Sequence, residues 1–323
     1  MRSTLAAAAV SLLFCGATAA GAQEIRILVV ANTKTPADPG VKPSEAMAKV
    51  LIASLNRAIR DSAITTTDVF KLAAYVERAW QWDQADNLLV ELEKARLGRG
   101  PDYAQIAELR KQRAASIVVI LGQLPIVRHT VKGNPVEEKA NVPGISTAYR
   151  DPPSPQNGFV FLSPPALVTF FGKNGRKALT HFFIHEIGHV LGADHDPEVR
   201  KADEVSVYSN GFNKTPTDKR DNRAYIHTIV GAHKWSSIMT YDFDNQEPIR
   251  FSNCKVQIDK VVDGKSYRFP TGKCAGKPGD ADNAKTIRAV IPKVAAYSLS
   301  SGTTGVRAGT APNSRRPPRS SRK

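Results

Sequence analysis

One segment constrains this chain more than any other: residues 181–196 read HFFIHEIGHVLGADHD. Within it His185, Glu186, His189, Gly192 and His195 fall in the spacing H-E-x-x-H-x-x-G-x-x-H. Side chains four apart on an α-helix share a face, so His185 and His189 can reach one ion. Glu186 lies about 100° around that helix from His185, beside the ion rather than on it. Gly192 can adopt the left-handed backbone that ends a helix and turns the chain back, which would bring His195 in as a third nitrogen. Three protein ligands with one open position describe a catalytic zinc rather than a structural one. Glu186 is then the general base and acid of a hydrolysis that needs no protein nucleophile. Chance would produce the full pattern on the order of once in 10⁵ chains of this size.

Around this segment the chain alternates strands and helices. Residues 24–31 (EIRILVVA) form a β-branched apolar run that reads as a buried strand. Pro43-Ser44-Glu45 announces a helix, with Met47, Leu51, Leu55 and Ala58 at helical spacing to about Asp61. A second strand is predicted within 66–76, and a long helical region over 83–113 is interrupted near Gly98–Pro101. Ala115–Gly122 (ASIVVILG) is the strongest central strand in the chain. Ile145–Arg150 and Gly158–Ser163 are short strand candidates, and residues 176–191 form the helix carrying His185. A loop-rich region to about 279 precedes a closing helix, Ala281–Tyr297, which Pro292 is expected to kink or divide. This order predicts an α/β domain with a mostly parallel sheet.

The ends of the 323-residue chain read differently. Arg2, the apolar stretch Leu5–Phe14 and the small-residue site Ala20-Gly21-Ala22 predict a signal peptide over 1–22. Cys15 follows Phe14, where lipoprotein processing wants a small residue, so ordinary cleavage is expected. The protein would then be secreted or periplasmic, with Cys254 and Cys274 an even pair in an oxidising compartment. A bridge between them is expected, the alternative being two thiols. Residues 300–323 carry six basic side chains and no acidic one, with many Ser, Gly and Pro, and are expected to be a disordered tail. Removing those six charges and Arg2 from the net +15 leaves +8 on residues 23–299, so the body is only moderately basic. The tail either contacts an anionic surface or merely solubilises. No specific nucleic-acid partner is implied, and no later apolar run is long enough to make an integral membrane protein.

The extended motif, with Met239 in the segment Ser236–Tyr241 about 44 residues beyond His195, resembles the metzincin zinc metalloproteases. The closest likeness is to their bacterial secreted reprolysin (adamalysin)-like members, over roughly residues 24–298. That resemblance implies a metzincin catalytic domain over 23–299, with an upper subdomain to about 195 and a smaller irregular lower one from about 196. It implies Met239 beneath the zinc as a hydrophobic base, and Asp196 as a hydrogen-bonding brace near that turn. Tyr241 would contact the zinc or steady the tetrahedral intermediate, or else serve only packing. Gly144–Arg150 would be the edge strand that pairs with an extended substrate. The family resemblance also allows a bound calcium, but no EF-hand-type ligand loop supports it here. His181, one turn before His185, is expected to pack or lie at the surface, and His129, His227 and His233 are assigned nothing.

The expected function is a monomeric, exported zinc endopeptidase acting on protein or peptide substrates. The alternative is a binding protein of metzincin fold that uses the cleft and the basic tail to hold a partner with little or no turnover. A pure binder has no need of Glu186.

Overall fold

A computed structural model describes residues 24–34, 42–80, 88–122, 127–131, 134–138, 144–149, 154–165, 167, 174–195, 226–230, 233–240, 246–274 and 281–300. The expected signal peptide, the tail beyond 300, Asp196 and Tyr241 lie outside them.

The first strand, β1 (Ile25–Asn32), is buried on both sides. Its alternation divides two cores: Ile25, Ile27, Val29 and Ala31 face one, Leu28 and Val30 the other. Ser44 caps α1 (Glu45–Asp61), its hydroxyl accepting from the Met47 N–H. Leu51, Ile52, Leu55, Ala58 and Ile59 make the buried face of that helix. Asn56, also buried, clamps the start of β2 (Phe70–Arg78) by donating to Phe70 O and accepting from the Val69 and Phe70 N–H groups. The predicted long helix is two, α2 (Leu88–Leu97) and α3 (Pro101–Gln112). Gly98 and Gly100 separate them at φ +62° and +88°, where a side chain would be strained.

The predicted central strand is β3 (Ile117–Leu121), and it does lie in the middle of the sheet. A hairpin of β4 (Val127–Val131) and β5 (Asn134–Glu138) precedes β6 (Gly144–Ser146) and β7 (Phe159–Leu162). The main sheet runs β2-β1-β3-β7-β6, parallel except for β6, which pairs antiparallel to β7 at the edge. Helix α4 (Gly175–Val190) packs with α1 on one face, and α2 and α3 cover the other. The architecture is the α/β class expected, with a mostly parallel central sheet.

The region expected to be loop-rich holds two further hairpins. They are β8 (Ile226–Val230) with β9 (His233–Ser236), and β10 (Gln257–Val262) with β11 (Lys265–Pro270). Asp263 and Gly264 turn the second at φ +50° and +74°, the two-residue hairpin geometry that Asp-Gly favours. Cys254 and Cys274 form the expected disulfide, their Cα atoms 4.8 Å apart. The last long helix, α5 (Asn283–Ala295), runs through Pro292. Ala296 then separates it from the short helix Tyr297–Ser300, so the division falls beyond the proline rather than at it.

Candidate metal centre

From Ala178 on, helix α4 is buried nearly all round, with Leu179, Phe183, Ile184, Ile187 and Val190 inaccessible to solvent. It ends as the glycine spacing predicted. Gly192 takes φ +84°, its N–H bonds to His189 O at 3.0 Å, and the Ala193 N–H bonds to Gly188 O at 2.9 Å. That pair of bonds satisfies carbonyls the helix would leave orphaned, and it reverses the chain within two residues. The reversal brings His195 against His185 and His189.

The three imidazoles converge. His195 Nε2 lies 3.0 Å from His185 Nε2 and 3.1 Å from His189 Nε2. The other nitrogens of the helical pair are committed: His185 Nδ1 donates to Ile238 O at 2.8 Å, and His189 Nδ1 donates to Ala193 O at 3.0 Å. Those bonds fix the tautomer, leaving each Nε2 with a lone pair aimed at the common centre. Burial pushes the pKa of His185 down to about 3 and that of His189 well below its ordinary value, with further lowering from His195. Both rings are therefore held neutral, as ligands must be. A proton on His195 Nε2 could satisfy only one of its two neighbours. A cation satisfies all three, and the separations approach the ~3.3 Å expected between tetrahedral nitrogens bound at about 2.0–2.1 Å from zinc. The residues present therefore fit one metal ion.

Glu186 stands beside this centre, almost wholly buried. Ser146 Oγ, on β6, donates to its Oε2 at 2.6 Å. Burial pushes the carboxyl up to about 7, against the opposing pull of the Ser146 hydroxyl and of His195. Gly144 opens the space: a Cβ there would lie 3.0 Å from Glu186 Cγ and 2.7 Å from Leu162 Cδ2. Beyond the strand, the Tyr149 N–H bonds to His189 O at 2.9 Å, so residues 144–149 follow α4 along the side that carries Glu186 and His189.

Met239 is fully buried and contributes no ligand atom to the triad. A Cβ on Gly188 would lie 2.5 Å from Met239 Sδ, so the turn packs directly against α4 one residue before His189. His181 does not join the triad; it is buried, with Nδ1 against Gln246 Oε1 at 3.0 Å. The loop of the third histidine is held by Asp194, whose Oδ1 accepts from the His195 N–H at 2.9 Å. Sequence reasoning missed Ser146 and Gln246, as well as the carbonyls of Ile238 and Ala193. The carbonyls have no side-chain signature, and the only pointer to Ser146 was its place on the expected edge strand.

No family model and no curated protein matches the sequence. Among solved structures the chain is similar to one from a chaperone–substrate complex, with TM-score 0.48 and 16% identity over 85% of this chain and 35% of that one. It is also similar to archaemetzincin from Methanopyrus kandleri, with TM-score 0.32 and 11% identity over 55% of this chain and 78% of that one. The metalloproteinase-II of Bacteroides fragilis gives TM-score 0.29 and 13% identity over 53% of this chain and 43% of its own. The chain thus spans about a third of the length of the first and less than half of the third. At TM-scores and identities this low, these likenesses establish neither a family nor an activity.

Proposed function

We propose that this chain is an exported zinc-dependent endopeptidase of metzincin type. The carrying observation is the convergence of three Nε2 atoms, two of them with Nδ1 tied to a backbone carbonyl, beside a buried carboxylate. His185, His189 and His195 hold the ion. Zinc, when bound there, supplies a Lewis acid that polarises a scissile carbonyl and favours hydroxide over water. Glu186 accepts the proton of the attacking water on its carboxylate and delivers it to the leaving amine nitrogen. Ser146 holds the carboxylate by its Oε2. The chain stretch at β6, last in its sheet, offers backbone groups to an extended substrate. Met239 serves as the hydrophobic floor. Asp196 and Tyr241 take the bracing and intermediate-stabilising roles that the family resemblance implies.

The test is cleavage of an unfolded protein by the zinc-loaded chain, with and without chelator, beside Glu186→Ala. Wild type should cleave, and chelator should abolish cleavage. The variant should retain fold and zinc while losing about 10²–10⁴-fold in rate. Undiminished turnover by Glu186→Ala would sink the mechanism. Zinc bound with no cleavage by either protein would favour a binding role for the cleft.

A further inference from the structure

Gln246 is wholly buried behind the metal centre, and nothing in the proposed chemistry uses it. Its side-chain nitrogen donates to Thr240 O at 2.8 Å and also lies within 3.4 Å of Ser237 O and Ile238 O and 3.3 Å from Thr240 Oγ1. A carbonyl oxygen placed among those acceptors would be repelled, so the amide can point only one way, with Oε1 toward His181. An acceptor facing His181 Nδ1 at 3.0 Å makes that nitrogen the donor. Two imidazoles one turn apart on α4 therefore grip the same turn, residues 237–240. His185 grips it directly through Ile238 O, and His181 through Gln246. At its outer side His181 Nε2 lies 3.6 Å from the exposed Glu247 carboxylate, which also pairs with Lys177 at 3.2 Å. His181 Nε2 is itself buried, so the end that faces Glu247 is separate from the end that meets the turn, and of the two groups only the Glu247 carboxylate is in solvent.

We propose that Gln246 and His181 are positioning residues for the metal centre. They hold the 237–240 turn so that the Ile238 carbonyl fixes the ring orientation and tautomer of His185. The inference rests on the reading of the triad as a zinc site. A donor to this turn that shared no acceptor with a ligand histidine would serve stability alone. Ile238 O, however, is shared between Gln246 and a ligand histidine, so a shift of the turn is transmitted to the ion.

The readout is the zinc affinity of the folded protein, measured by chelator competition, together with the visible spectrum of the cobalt-substituted protein. Gln246→Met and His181→Leu should each weaken zinc by about tenfold and alter the cobalt bands, as loss of a partner behind a ligand histidine does. His181→Asn keeps an N–H near the Nδ1 position and should stay within about threefold of wild type. The double variant Gln246→Met/His181→Leu should be no weaker than Gln246→Met alone, because both act through one chain of bonds. As a control, Val119→Ala in the central strand should lower stability while leaving zinc affinity intact.

Wild-type affinity in both Gln246→Met and His181→Leu would overturn the proposal. So would equal losses in His181→Leu and His181→Asn, or an equal loss in Val119→Ala. If Gln246→Met does not fold, the two His181 variants decide. A wild type that binds no zinc would remove the metal reading itself. A zinc-binding wild type with unaffected variants would remove only the positioning role.

Discussion

Gly188 has no side chain because of what stands against it. A Cβ there would meet Met239 Sδ at 2.5 Å and Phe251 Cε1 at 2.9 Å, and both of those residues are fully buried. Gly188→Ala should therefore destabilise by about 1–3 kcal/mol through overpacking, despite alanine's better helix propensity. It should also weaken zinc, since His189 follows directly; melting the protein with and without zinc measures both effects. Ser146→Ala is expected to leave zinc content unchanged while lowering kcat/KM by about tenfold, by freeing the Glu186 carboxylate from its hydroxyl donor. An unchanged rate would show that the geometry of Glu186 is set by its packing alone. At this scale the sequence is most legible where chemistry demands a side-chain type: the three histidines, Glu186 and Gly192 stand where the spacing put them. It is silent where the work falls to backbone atoms such as Ile238 O and Ala193 O, or to a common residue such as Ser146.

At the scale of elements, Arg110 near the end of α3 does the joining. Its buried guanidinium donates through Nε to Ala115 O at 3.1 Å and through its other nitrogens to Ser116 O and Pro155 O. It also lies over the Phe159 ring, 4.9 Å from the centroid. One side chain thus fastens α3 to the segment entering β3 and to the turn entering β7. Arg110→Met should leave those carbonyls without that donor and destabilise by about 2–4 kcal/mol, read as a lower urea midpoint at unchanged slope. A shift smaller than ~0.5 kcal/mol would mean that other donors replace it. The strands around Arg110 are easy to read because unbroken runs such as IVVIL permit little besides a buried strand. The hairpins after 226 are harder, their strands being short and half polar. Asp263-Gly264 was a usable signal for one of them, and Gly231-Ala232, a glycine-first pair between β8 and β9, is a weaker one for the other.

At the scale of the molecule, the site rests on the larger core, which draws on both the early and the late segments of the described chain. Strands β1, β3 and β7, helices α1, α4 and α5, Met239 and Phe251 all contribute to it. The segment after the metal turn is pinned to the end of α1: the Phe251 N–H bonds to Ser62 Oγ at 2.8 Å, and Asn253 Nδ2 donates to Ser62 O at 2.6 Å. Helix α5 reaches the same place, with Arg288 donating to Ala63 O at 2.7 Å. Loss of the ion should therefore be felt by the whole fold. With zinc at 100 times its Kd, removal costs about 2.7 kcal/mol, so chelation is expected to lower Tm by about 5–10 °C. Replacing Cys254 and Cys274 by serine should remove about 3 kcal/mol, given the 20-residue separation the bridge spans. The ties to the end of α1 join residues 189 to 225 positions apart and leave no local pattern. The α/β class is readable from the order of elements, whereas the way the late segments lock onto α1 is not.

The central claim is that His185, His189 and His195 together hold one zinc ion. X-ray absorption at the zinc edge of the loaded protein tests it most directly. The account predicts one zinc per chain with three imidazole nitrogens and a further light-atom ligand, all at about 2.0–2.1 Å. A signal dominated by sulfur, or one with fewer than three imidazoles, would contradict it.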